Sequence, residues 1–345
     1  MLDTETHREV QNYYGEVLKN KSDLQTTACC PTEAIPLYLR KHLGLIEGEI
    51  LERFYGCGSP VPLALEGCTI LDLGCGTGRD VYLCSQLVGE TGRVIGLDMT
   101  ANQLAVARKY QDAHRQRFGH DVSNVEFHQG YMEDLAAIGI ADDSVDVVIS
   151  NCVLNLAPDK ETVFREIFRV LKPGGELYFA DVFSDRRLTA PMRKDPVLVG
   201  ECLGGALYTE DFRRTLYRLG VADYRTVAAS VIEPSNPELE ERVGNVRFFS
   251  MTVRAFKLDL EDRCEDYGQV AWYNGTIPHA PHRMVLDDHH TFITGKPMPV
   301  CSNTAAMLAS TRFGAHFRLE GDLSTHYGLF DCGPMPVDAD PAACC

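Results

Sequence analysis

No apolar run in this 345-residue chain approaches the roughly 20 residues a helix needs to cross a bilayer. The opening MLDTETHREV has none of the hydrophobic stretch of a secretory signal. Basic residues are scarce, with 33 Lys and Arg against 49 Asp and Glu, a net charge of −16. A surface so biased repels nucleic-acid phosphates. The C-x-x-C spacing of a zinc ribbon occurs nowhere. The expectation is a cytoplasmic protein, working as a monomer, with neither nucleic acid nor a membrane as partner.

What the chain does hold is cysteine, 13 residues of it. In a short secreted domain these would build a disulfide frame, but the length and the missing leader argue against one. A reducing compartment leaves thiols to act as ligands, nucleophiles or redox couples. With 45% apolar and 24% charged residues, the chain can bury one large core or two to three smaller ones.

Residues 7–24 space Val10, Tyr13, Tyr14, Val17 and Leu18 as an amphipathic helix ahead of the main domain. TTACCPTEAIP breaks regular structure as a loop, Leu39 to Phe54 predicts a further helix, and YGCGSPVP at 55–62 a turn. Strands then alternate with helices. Strands are predicted at 69–73, 93–97, NVEFHQG, SVDVVIS and 176–182, and helices near 79–89, 101–118 and 160–171. This alternation predicts an α/β fold with a parallel, doubly wound sheet. Residues 184–245 read as a charged helical stretch interrupted by ECLGGAL, and 246–258 as strands. From 263 on, short runs such as QVAWYN and HTFIT read as a small α+β appendage, and the tail DADPAACC has no period.

In ILDLGCGTG, Gly74, Gly76 and Gly78 follow a strand and open a helix. The loop lacks the last spacing of the dinucleotide fingerprint G-x-G-x-x-G. Asp72 stands two residues before the first glycine, and Asp98 ends the second strand, where a carboxylate can take both ribose hydroxyls. As a set these residues resemble the class I S-adenosylmethionine-dependent methyltransferases over about residues 65–182. In that resemblance Met132 and Glu133 fall at the adenine, and Leu171 to Gly175 at the turn after the helix.

The end of the fourth strand in that fold presents the methyl acceptor, and this chain places Asn151-Cys152-Val153 there. Cys57 in FYGCG and Cys202 in GECLGGAL sit among glycines, where backbone is tightly turned and exposed. Three thiolates near a sulfonium methyl call for a soft, thiophilic acceptor. FYGCG, NCVLNL, LYFADV and GECLGGALY resemble the arsenite S-adenosylmethionine methyltransferases, from about residue 8 to about 330.

The resemblance implies that Cys57, Cys152 and Cys202 bind trivalent arsenic, arriving as arsenite or its glutathione conjugate. It implies that Cys29, just after the family's DLQT stretch, pairs with Cys57 in a disulfide that returns two electrons after each transfer; the adjacent Cys30 is an alternative. Thioredoxin or glutathione would then be the reductant and co-substrate. The implied S-adenosylmethionine site comprises Tyr55, Asp72, Gly74, Cys75, Gly76, Gly78, Asp98, Met99, Met132, Glu133, Asn151 and Val153, with Cys75 a spacer in the loop. The expected division is 1–182 as the methyltransferase domain, 183–258 as an inserted arsenic-binding segment and 259–345 as the small C-terminal domain. Cys68, Cys84, Cys264, Cys301 and Cys332 read as structural, and His279, His282, His289 and His290 as surface-loop residues. Two other readings compete. A methyltransferase of another small metabolite leaves the three glycine-flanked cysteines unexplained, and a soft-metal-binding protein leaves the intact Asp72–Asp98 set unexplained.

Overall fold

The structure is a computed structural model that describes residues 7–8, 35–54, 56, 58–200, 202–234 and 237–331. The predicted helix over 7–24 and the loop carrying Cys29 and Cys30 fall almost wholly outside the described residues. The region predicted as one helix from Leu39 to Phe54 forms two, α1 (Leu37–Leu43) and α2 (Gly48–Glu52). They part at Gly44, which closes α1 by donating to Arg40 O.

Five strands are parallel: β1 (Thr69–Leu73), β2 (Arg93–Asp98), β3 (Val125–Gln129), β4 (Val145–Asn151) and β5 (Leu171–Ser184). They lie in the order β3-β2-β1-β4-β5. Parallel strands are covered on both faces, which is why these segments read as nearly continuous apolar runs. Helix α3 (Arg79–Val88) follows β1, and α4 (Ala101–Lys109) and α5 (Gln111–Phe118) follow β2. The predicted 101–118 helix thus breaks at Tyr110, whose hydroxyl donates to Glu49 on α2 at 2.6 Å. Between β4 and β5 runs α6 (Lys160–Val170), started by Asp159, whose carboxylate accepts from Thr162 N. It buries Val163, Phe164, Ile167 and Phe168 in the core that includes Val148 and Leu177. Each such side chain contributes about 1.5–3 kcal/mol by leaving water.

LKPGG was expected as a turn before a strand at 176. Instead β5 starts at Leu171 opposite Val145, and the register slips so that Val147 faces Glu176. The residues between bulge toward the far strand, where Gly174 N donates to Lys257 O.

Beyond β5 come α7 (Ala190–Lys194), α8 (Pro196–Gly200), β6 (Leu207–Tyr208) and α9 (Thr209–Arg218). Then follow β7 (Tyr224–Ile232), α10 (Pro237–Val243) and β8 (Phe248–Phe256). The sheet is therefore not wholly parallel, because β8 pairs antiparallel with β5 and β7 antiparallel with β8. β7 lies inside the stretch read as helical. Its sequence YRTVAASVI is half-exposed at the sheet edge, so small and polar residues blur the two-residue alternation.

The remaining strands are β9 (Glu265–Asp266), β10 (Gln269–Tyr273), β11 (Arg283–Val285), β12 (Thr291–Ile293), β13 (Pro297–Val300), β14 (Phe317–Glu320) and β15 (Gly328–Leu329). With α11 (Ser302–Ala309) they form a small unit around Tyr273, Phe292, Phe313 and Phe317. Two buried arginines of the main sheet tie it down. Arg254 on β8 donates to Glu176 at 2.7 Å and to Leu286 O at 2.6 Å, and Arg312 of the small unit reaches the same Glu176 at 2.5 Å. Arg225 on β7 pairs with Asp223 at 2.7 Å and with Asp287 at 3.3 Å. His290, expected on the surface, is instead buried against Asp287 at 2.7 Å. Among the described residues no helix is long and apolar enough to cross a membrane.

Glu176 is fully buried between two guanidinium groups. Glu176→Ala strands both charges and should cost about 3–5 kcal/mol of unfolding free energy in a urea titration. A loss below about 1 kcal/mol would show that the arginine pair does not join the two units.

Candidate active site

β1 pairs with β2 on one side and β4 on the other, so the strand order reverses there and a crevice opens beyond the carboxyl ends. The glycine loop sits at its floor. Gly74 has φ +71° and a side chain there would meet Val153 Cγ1 at 2.4 Å, so only glycine lets the exits of β1 and β4 pass each other. Gly74 N and Cys75 N both donate to Leu97 O, at 2.8 and 2.9 Å, locking the loop to β2. Gly78 lies at the start of α3 and packs on Phe127, away from the crevice.

The cleft has a cavity volume of about 120 Å³. Asp72, Gly74, Cys75 and Gly76 line its floor, and Asp98, Met99, Met132 and Glu133 one wall. Asn151, Cys152 and Val153 form the opposite wall. Asp98 is set by Thr100 N on Oδ1 at 2.7 Å and Gly76 N on Oδ2 at 2.9 Å. Each oxygen keeps a lone pair to accept a vicinal hydroxyl. Burial pushes the Asp98 carboxyl up from its usual range, and Asp72 rises well above it through burial and then the charges of Asp80 and Asp98. A cleft with several acids that resist losing their protons gains from a ligand carrying positive charge. A sulfonium and an ammonium group on a ribonucleoside answer both the charge and the hydroxyl acceptors, so these residues fit S-adenosylmethionine.

Sequence reasoning missed four groups at this cleft. His7 lines it and reaches Glu133 at 3.2 Å, on the wall that also carries Asp98 and Met132. Thr100, in addition to positioning Asp98, lines the cleft. The other two are Arg79 and Asp80, adjacent charges at the start of α3. Arg79 is buried, stacks 3.3 Å above the Phe54 ring, and donates to Asp80 at 2.8 Å and Gly58 O at 3.1 Å. Asp80 in turn accepts from Asn151 Nδ2 at 3.1 Å. The Asn151 amide also meets Gly58 twice, accepting from its N at 3.3 Å and donating to its O at 3.0 Å. One side chain thereby fixes the 54–58 segment to the end of β4.

Tyr55, Cys57 and Cys29 lie outside the described residues. Cys152 and Cys202 are brought together although 50 residues apart, with Cys202 Sγ 3.8 Å from Cys152 O. Both are buried, and both take the left-handed backbone, at φ 56° and 62°. A non-glycine residue held there costs of order 1–3 kcal/mol, and such strain gathers at functional sites. Cys152 N is fixed by Ala180 O at 2.8 Å. Gly205 lets the ECLGGAL loop lie flush on β4's exit, since a Cβ there would meet Asn155 O at 2.2 Å. Cys152 is disulfide-bonded.

Beneath this turn Asp181 accepts from Asn155 N at 3.1 Å and Val182 N at 2.8 Å. Burial lifts its carboxyl to about 7 despite those donors. From the ordinary range near ~4 up to about 7, the folded chain keeps a proton that the unfolded chain has released. Stability therefore falls as pH rises through that window. Asp181→Asn should lessen this slope in urea midpoints taken across it, and an unchanged slope would place the titration elsewhere. Asn151→Ala breaks three hydrogen bonds and leaves Asp80 short of one donor. A loss of about 1.5–3 kcal/mol, roughly tenfold to a hundredfold, is expected in calorimetric affinity for S-adenosylmethionine, with the melting cooperativity retained. Unaltered affinity would show that the 54–58 segment does not cover the cofactor.

Residues 64–220 match a methyltransferase domain family and residues 266–332 the arsenite methyltransferase C-terminal domain. An arsenite methyltransferase of Aquipseudomonas alcaligenes is 52% identical, across 98% of this chain and 100% of that protein. The arsenite methyltransferase of Rattus norvegicus is 46% identical, across 91% of this chain and 85% of the relative. The crystal structure of an arsenic(III) S-adenosylmethionine methyltransferase from Chlamydomonas reinhardtii has a TM-score of 0.84 at 50% identity, covering 86% of this chain and 100% of that one. The doubly wound sheet, the acidic nucleoside cleft and this kinship along nearly the whole length agree: the chain belongs to the family of S-adenosylmethionine-dependent arsenite methyltransferases.

Proposed function

We propose that this chain methylates trivalent arsenic, arsenite and then methylarsenite, held by the thiolates of Cys57, Cys152 and Cys202. The observation that carries the reading is the contact of Cys152 and Cys202, two strained and buried cysteines, at the wall of the nucleoside cleft. Cys57 adjoins Gly58, which Asn151 binds through both its N and O. Bound S-adenosylmethionine supplies an electrophilic methyl group on sulfonium. The protein's part is to hold arsenic by soft sulfur ligands with its lone pair uncovered. No general base is required, because trithiolate arsenic has no proton to lose.

Methylation leaves arsenic pentavalent, and two thiols becoming one disulfide return the two electrons that restore it. In this reading Cys29 and Cys57 form that disulfide, thioredoxin or glutathione reduces it, and arsenic arrives free or as its glutathione conjugate. The disulfide at Cys152 supports a site in which thiol exchange accompanies turnover, and Cys152 must be reduced before it can hold arsenic. Residues 183–258 contribute the Cys202 ligand, 1–182 the cofactor site and 259–345 a supporting unit, in a cytoplasmic monomer.

The test is arsenic speciation after incubation with arsenite, S-adenosylmethionine and a thiol reductant. Wild type should form methylarsenicals, and Cys202→Ser should lose the first methylation by at least about a hundredfold with cofactor affinity unchanged. Methylation by Cys202→Ser at the wild-type rate would refute the three-thiolate site. No methylarsenicals from a wild type that binds the cofactor would move the acceptor to another small metabolite.

A further inference from the structure

Two more cysteines, read from sequence as structural, meet at the antiparallel edge of the sheet, three strands away from β4. Cys301 precedes α11 as its cap, its sulfur accepting from Thr304 N at 3.4 Å and lying 3.2 Å from Thr304 Oγ1. Arg225 on β7 donates to the same sulfur at 3.8 Å. The Cys264 thiol hydrogen-bonds Cys301 as well, and both residues are buried. That hydrogen bond, then the Arg225 charge and the Thr304 donors, outweigh burial and bring the Cys301 thiol down to about 5. The pair is a thiolate beside a thiol, walled off from bulky reagents. Its surroundings are otherwise neutralised, since Asp223 and Asp287 pair with Arg225, and Asn303 and His290 bond those carboxylates.

We propose that Cys264 and Cys301 form a second binding site for trivalent arsenic, separate from the methyl-transfer cleft and built into the C-terminal unit. Two converging sulfurs suit pyramidal arsenic(III), which takes its third ligand from water. They do not suit a structural zinc, which needs four ligands. Among the described residues, no group of three His, Cys, Asp or Glu comes together to hold a metal ion. Arsenous acid, As(OH)₃, is small and uncharged, so it can enter where a peptide or glutathione cannot. The step balances without a redox partner. Two As–O bonds break and two As–S bonds form as As(OH)₃, the Cys264 thiol and the Cys301 thiolate give the dithiolate As–OH, one water and one hydroxide. The chelate joins the segment before β9 to the start of α11 and to the Arg225 network that seats this unit on β7. Arsenic bound there stabilises the folded unit, because the unfolded segment lacks the assembled pair.

The inference rests on the arsenic reading above only for the identity of the ligand. The experiment uses the full chain carrying Cys152→Ser and Cys202→Ser, reduced with a phosphine, with inorganic arsenite and no cofactor. Arsenic retained per chain after desalting is counted by elemental mass spectrometry. Either Cys264→Ser or Cys301→Ser should lower the count by one, and both together by no more than one. Other cysteine pairs contribute equally to every variant and cancel. Trp272, the one tryptophan of the chain, reports locally, because it lies on β10, whose Gln269 faces Val300 next to Cys301. Its fluorescence should respond to arsenite in the parent and not in Cys264→Ser, which leaves the Cys301 helix cap in place. An unchanged count, or a Trp272 response that persists in both serine variants, overturns the second site. Methylation is not read in this assay, so loss of the proposed activity and loss of this site are separate results.

Discussion

The end of β4 carries this site. Ser150 is the last residue held by ladders on both sides, opposite Leu73 and Phe179, and Asn151 is still paired with Ala180 on β5. From that rigid point its side chain binds Asp80 on α3 and both backbone groups of Gly58. The backbone then turns left-handed at Cys152, fixed by Ala180 O, and Val153 settles over Gly74. Three stretches distant in sequence, the glycine loop, the 54–58 segment and the ECLGGAL loop, are all positioned from these three residues. Strain at Cys152 persists because the surrounding hydrogen bonds leave the backbone no other path.

The proposed ligand set draws on this arrangement. A thiolate on a flexible loop would lose side-chain and backbone entropy on binding arsenic, of order 1–2 kcal/mol per ordered residue. Cys152 and Cys202 are already buried and in contact, so most of that ordering is complete before the ligand arrives. The cost is shifted to folding, where the apolar packing of Val182, Leu198, Leu203 and Phe248 around the two cysteines offsets it.

What could be read from the sequence had a local physical cause. The five parallel strands announce themselves as buried apolar runs, and Gly74 and Asp98 carry constraints set within one loop and one strand end. Glycines and a strand terminus drew attention to Cys152 and Cys202, but both are buried rather than on the exposed backbone expected. The rest depends on partners far away in the chain. Arg79 and Asp80 look like surface charges until Phe54 and Asn151 cover them. β7 looks helical because it is an edge strand with one face in solvent, and its pairing with β8 is supplied by tertiary contact. His7 and Glu133 are separated by 126 positions, and nothing near either residue signals the other.

The antiparallel edge then has a mechanical consequence for the cleft. β5 contributes Ala180, which fixes Cys152, and Asp181, which supports Asn155; the same strand begins at Leu171 and carries Glu176. Glu176 is bound by Arg254 from β8 and Arg312 from the small unit. Any loosening of that unit takes Arg312 from Glu176 and leaves the buried carboxylate with Arg254 alone, a loss felt directly by β5. The lower half of β5 is therefore braced by the C-terminal unit, while its upper half shapes the cysteine turn. Strands transmit such shifts with little loss because each residue is held by neighbours on both sides. The small unit belongs to the catalytic fold through this one strand, although it stands on the opposite edge of the sheet from the nucleoside wall.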